Sequence, residues 1–186
     1  MPIVECGFPA GLAVQGQPTL SGQDALSIHG PTIMVDIGFD PAFFGTTLPP
    51  IPGTTGTPVS IPSVQVPALI DTGAAESCID EQLAQQLQLP VINTTVRSGI
   101  SGSVTLNMYL AHISIPNLVT EYGQFTGVHL QAGGQFHRAL LGRKLLDDVL
   151  LVYDGVTGLV RLHAKSEGPN RSLGVSQVSC LSDSTV

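Results

Sequence analysis

The sequence predicts an all-β domain with one real helix, and three observations carry that prediction. Apolar residues make up 42% of the chain and charged residues only 11%, and Leu, Ile and Val recur in short runs. Glycine, at 21, and proline, at 14, punctuate those runs as turns punctuate strands. Near the end, Asp154-Gly155-Val156-Thr157-Gly158 separates two apolar runs, which is a strong hairpin signal.

At 186 residues the chain can bury one core but not comfortably two. A formal charge of -7 argues against a nucleic-acid partner. Cys6, Cys78 and Cys180 show neither a disulfide framework nor a metal-binding pattern. No secretory leader is read at the start, and no apolar stretch is long enough to span a bilayer. The expectation is a soluble cytoplasmic protein with no membrane partner.

Residues 1–25, rich in Gly, Pro, Gln and Ser, read as an irregular arm. Ile33 to Phe39 alternates as a strand. Asp40 to Pro62 contains six prolines, which remove backbone donors and fix φ, so an extended surface loop is expected over 40–62. Val64 to Ile70 is the next strand and runs directly into Asp71-Thr72-Gly73-Ala74. Ser77, three residues before Asp80, reads as a helix cap with its reciprocal acid. The helix runs from Asp80 to Leu87, with Ile79, Leu83 and Leu87 on one stripe and Pro90 as its stop. Strands follow over Val91 to Val96 and from Val104 towards Ile115, separated by the glycine-punctuated Ser98 to Ser103. Gly127 to Leu130 reads as a short strand, Ala139 to Arg143 as a buried strand ending in a tight turn, and Lys144 to Val149 as one or two helical turns. The hairpin strands are Leu150 to Tyr153 and Leu159 to Leu162, and residues 165–186 form a polar, flexible tail.

Asp71 is the residue best placed for chemistry. It ends an apolar strand, where a carboxylate is costly unless hydrogen-bonded or used. Gly73 lets backbone approach the carboxylate, and Thr72 brings a hydroxyl that can bond across to a neighbouring chain. Asp, Thr and Gly are also ordinary turn residues, so the tripeptide alone leaves a simple turn cap open.

The run Ala68-Leu69-Ile70-Asp71-Thr72-Gly73-Ala74, the helix after it, and Ala139-Leu140-Leu141-Gly142-Arg143 together resemble the retroviral-type, or retropepsin-like, aspartic peptidases. The resemblance extends from Thr32 to Leu162 and implies an acid-protease β domain over 26–164, closed up, with a flap hairpin and a second short helical turn. It implies that Asp71 is the catalytic aspartate and that Thr72 knits two active-site loops together. Gly73 and Ala74 would hold substrate backbone, and Gly99, Ile100, Ser101 and Gly102 would form the flap tip. Gly142 and Arg143 would support the catalytic loop from below. Viral members usually carry an aspartate where Ala75 or Glu76 stands, so Arg143 is expected to take Glu76 as its acidic partner, directly or through water. The Pro-rich 40–62 loop and the terminal hairpin look more like a cellular or bacterial relative than a viral enzyme.

The chemistry of this family needs two carboxylates sharing one proton. The closest second motif, Asp183-Ser184-Thr185, lacks the glycine, so a homodimer pairing two copies of Asp71 is the economical solution. The resulting expectation is an aspartic endopeptidase acting on extended peptide or protein substrates, with Ile70, Val96, Ile100 and Leu140 near its subsites. It requires no metal and no cofactor. The rival readings are a catalytically silent peptide-binding or structural dimer and a monomeric all-β interaction domain. Cys78 has no histidine nearby in sequence and reads as a structural thiol. The histidines His29, His112, His129, His137 and His163 show no ligand spacing.

Overall fold

The computed structural model describes residues 2–13, 18–53, 55–56, 58–99 and 102–164. Strands β2 (Thr32–Phe39) and β3 (Ile61–Ile70) pair antiparallel, from Thr32 opposite Leu69 to Phe39 opposite Ile61. The sheet continues through β8 (Ala139–Leu141), β4 (Cys78–Asp80), β7 (Val119–Val128), β6 (Gly102–Ile115) and β5 (Val91–Gly99). Because β2 also pairs β6, from Asp36 opposite Ser114 to Gly38 opposite His112, the seven-stranded sheet closes on itself. That pairing covers both sides of β2 and leaves β5, bonded to β6 alone among the described strands, at the sheet's edge.

Alternation along these strands sends Val35 and Ile37, Ala68 and Ile70, Ile113 and Ile115, and Ala139 and Leu141 into the core. A second sheet of three strands forms from the two ends of the described chain. Strand β1 (Ile3–Gly7) pairs β10 (Leu159–Ala164), which pairs β9 (Val149–Asp154). Helix α2 (Glu81–Gln86) and the single turn α3 (Arg143–Leu146) complete the barrel's surroundings.

The expected irregular arm over residues 1–25 is corrected by the structure. It contains β1 and the start of helix α1 (Gly22–His29). The helix has a local cause: the Ser21 hydroxyl accepts from the Asp24 backbone N–H at 3.1 Å, and Ala25 and Leu26 turn inward. A side chain at Gly158 would place its Cβ 2.4 Å from Gly22 backbone atoms, so glycine there lets the β9–β10 turn lie directly on the start of α1.

Three further boundaries differ from expectation. The cap of α2 is Asp80 itself, whose carboxylate accepts from Leu83 N–H at 3.2 Å, and the helix ends at Gln86. Ser77 turns elsewhere because its hydroxyl has a buried acceptor. The expected strand over Gly127 to Leu130 is the end of β7, which stops at Val128, where the chain leaves the ladder to bond Asp80. The loop over 40–62 is shorter than read, since β3 already begins at Ile61. It is also anchored: Phe43 stacks on Tyr122 at 5.6 Å, and Phe44 is 3% exposed. Burying a ring of that size contributes about 2–3 kcal/mol, which fastens a segment with little secondary structure of its own. The tail over 165–186 lies outside the described residues.

Candidate active site

Strand β3 delivers Asp71 to its position. The ladder with β8 persists one residue beyond the strand, where Asp71 N–H donates to Leu141 C=O at 2.9 Å. The chain then turns sharply, and one Asp71 oxygen, Oδ1, accepts from the N–H groups of Gly73 at 2.9 Å and Ala74 at 3.3 Å. Those bonds fix the orientation of the carboxylate. Asp71 itself is half-buried, and Thr72 and Gly73 are exposed.

The turn after β8 holds this loop from the other side. Arg143 N–H donates to Ala74 C=O at 3.0 Å, and Lys144 N–H to Ala75 C=O at 3.1 Å. The Arg143 guanidinium donates through one nitrogen to the carbonyls of Thr72, at 2.9 Å, and Gly73, at 3.0 Å. The acceptors for Arg143 are therefore backbone oxygens of the Asp71 loop. Glu76 joins this support through its backbone, because a Cβ on Gly142 would lie 2.4 Å from its carbonyl carbon. Residues 71–74 and 142–143, distant in sequence, thus form one rigid unit under a partly exposed carboxylate.

The family model described as "gag-polyprotein putative aspartyl protease" matches residues 57–148, which include both halves of this unit. This stretch belongs to the retropepsin-like aspartyl protease family. The chain's closed, mostly β barrel with a few short helices is consistent with the acid-protease fold of that family. No curated protein matches the chain.

Within this family frame, β5 and β6 form the hairpin that the sequence reads as the flap. Ser98 lies opposite Ser103 and Gly99 opposite Gly102. Ile100 and Ser101, expected at its tip, lie outside the described residues. Of the residues expected near subsites, Ile70 is 3% exposed and belongs to the core. Alternation explains the correction, since Leu69, not Ile70, leaves β3 on the side of Asp71. Leu140 is half-buried, and Val96 is exposed on the hairpin.

Sequence reasoning missed two buried networks, one that supports the Gly142 turn and one that joins α2 to the segment after β7. Ser77 donates to Glu121 Oε2 at 2.7 Å and accepts from Gly142 N–H at 3.2 Å, tying the Gly142 turn to β7. Lys144 Nζ lies 3.9 Å from the other Glu121 oxygen. Burial pushes the Glu121 carboxyl above its ordinary range, with Ser77 and Lys144 opposing that rise. Fully buried Asp80 accepts from Leu130 and Gln131 N–H, each at 3.0 Å, and pairs with Arg138 at 3.1 Å. The available signal was a charged residue at a core-facing position of an apolar pattern, which is costly unless paired. Burial pushes the Cys6 thiol up to about 11. Among the described residues, no group of three or more His, Cys, Asp or Glu could hold a metal ion. No helix among them is long and apolar enough to cross a membrane.

Proposed function

We propose that the chain is an aspartic endopeptidase whose active site assembles when two copies bring their Asp71 carboxylates together at a homodimer axis. The observation that carries this reading is the Asp71 loop. One carboxylate oxygen is bound by two backbone N–H groups, while the side chain keeps an exposed side. Two such groups a hydrogen bond apart share one proton, because both cannot ionise at that distance. The ionised member takes a proton from a water between them as that water attacks the scissile carbonyl. The neutral member polarises the carbonyl and then protonates the leaving amine, so the pair exchanges roles and no covalent intermediate forms. Thr72, exposed beside the axis, would bridge the two loops, and the β5–β6 hairpin would close over an extended peptide and exclude water.

The test is peptide cleavage from pH 3 to 8 by the parent and by Asp71→Asn. The parent should give a bell-shaped profile with an acidic optimum, and the variant should be inactive at every pH. Equal cleavage by both, or none by a dimeric parent across a broad library, would overturn the reading. The second outcome would assign the chain to the silent peptide-binding class.

A further inference from the structure

The loop between β2 and β3 is fastened over one buried histidine. On β6, Ala111 and Ile113 point into the core, so His112 between them leaves on the outer face, where Gly38 of β2 stands opposite it. A Cβ on Gly38 would lie 2.9 Å from Ser63 Oγ and 3.0 Å from Ser63 Cα, so glycine there leaves bare strand for the imidazole to cross. His112 Nε2 reaches over β2 to Ser63 Oγ on β3 at 2.9 Å. The Phe43 ring, from the single turn Pro41–Phe43 that opens the loop, covers the imidazole at a centroid distance of 5.1 Å. Phe43 also stacks on Tyr122 of β7, and Phe44 meets that ring edge-on, each at 5.6 Å.

His112 is thereby 7% exposed, yet its Nδ1 has no hydrogen-bond partner. That arrangement suits only the neutral ring. A charged imidazole carries a proton on both nitrogens, so it would bury a charge and an N–H without an acceptor. Two acids lie near enough to favour the charged form, Asp40 at the start of the same turn and Asp36 on β2. Neither bonds Nδ1, and Asp40 is held by its own turn, accepting the Ala42 N–H at 2.9 Å. Burial outweighs both acids and holds the imidazole below its ordinary value of 6.5. Ser63 from β3 and Tyr122 from β7 complete the polar surroundings.

We propose that His112 and Phe43 form a pH-sensitive latch, in which the neutral imidazole holds the start of the 40–62 loop against the barrel and protonation releases it. Above about pH 6.5 the ring is neutral with the latch shut or open. As pH falls, the open form, whose imidazole meets water, takes up the proton first, so closure loses population. Release uncovers Phe43, Phe44 and Tyr122 as one aromatic face. Strand β3 is ten residues long and Asp71 follows its far end, so about 33 Å of extended chain separates loop from carboxylate. The latch therefore stands apart from the peptidase reading.

The chain has no tryptophan, so Phe43→Trp places a single indole at the latch. Its emission should move to longer wavelength, and acrylamide quenching should rise about twofold, as pH falls from 7.5 to 4.5 through a midpoint below 6.5. With His112→Gln added, whose amide does not titrate, both readings should stay constant over that range. Far-UV circular dichroism should show an unchanged β signal throughout. NMR of the unaltered protein covers the case of a variant that fails to fold, and there the Phe43 ring signals should shift with the same midpoint as the His112 imidazole. Four results would each overturn the latch: a pH response that survives His112→Gln, no response in the Phe43→Trp protein, Phe43 signals that ignore the His112 titration, or loss of the β signal along the same curve.

Discussion

The guanidinium of Arg143 lies against the backbone of the Asp71 loop, donating to Thr72 C=O at 2.9 Å and Gly73 C=O at 3.0 Å. A planar fork serves this arrangement better than an ammonium, because one end can bridge two carbonyls while the rest stays solvated. Arg143→Lys should therefore lower kcat by tenfold or more with a smaller change in KM. The loss in unfolding free energy should be about 1 kcal/mol, the scale of a partly solvated hydrogen bond. Steady-state kinetics and urea denaturation on the same preparations measure both. A kcat within twofold of the parent would show that the clamp does not position the aspartate.

The dimer makes its own prediction. Sedimentation equilibrium at micromolar concentration near pH 5 to 7 should show a species of twice 19.4 kDa, with specific activity rising with concentration. Thr72→Ala should weaken association by about 1–3 kcal/mol through loss of a hydroxyl between the two loops. A single 19.4 kDa species with concentration-independent activity would rule out the shared site.

Glu121 should make stability depend on pH in a defined direction. Burial, the largest influence, raises its carboxyl above the ordinary value of 4.5, so the unfolded chain releases this proton at lower pH than the folded one. The group favours the fold fully below about pH 4.5, and that contribution is lost as pH rises through the raised folded value. Glu121→Gln should flatten this part of the profile. The urea midpoint of the parent, relative to the variant, should fall between pH 4 and pH 7. A constant difference across that window would show that the carboxyl titrates alike in both states.

Asp80 joins α2, the Leu130–Gln131 backbone and Arg138 at one buried carboxylate. Removing it strands a largely buried guanidinium and three N–H groups, so Asp80→Ala should destabilise the fold by about 3–5 kcal/mol. Replacing both members, as Asp80→Leu with Arg138→Met, should recover part of the loss, because no unpaired charge remains. Chemical denaturation of the single and double variants tests this. A double variant no more stable than the single one would place the cost in the backbone caps.

The strands around residues 33–39, 64–70, 91–96 and 104–115 were legible because period-two patterning is written locally and sterics impose it wherever one face is buried. Asp71-Thr72-Gly73-Ala74 and Gly142-Arg143 were legible for a related reason, since a tight loop around a carboxylate accepts few residue types. The sequence by itself thus determined an all-β fold and marked the two segments, 71–74 and 142–143, that the folded chain packs together. Tertiary structure alone decided how those residues are held. Ser77 carried a cap signal, yet its hydroxyl serves Glu121 and Gly142, and Asp80 caps the helix instead. Residues 1–25, polar and glycine-rich, became β1 and part of α1 because β10 and the barrel give them surfaces to cover. Ile70, not Leu69, joins the core because the folded barrel sets which face of β3 points inward. Hydrogen-bond partners separated by 40 to 70 positions leave no periodic trace, so only the folded chain could bring them together.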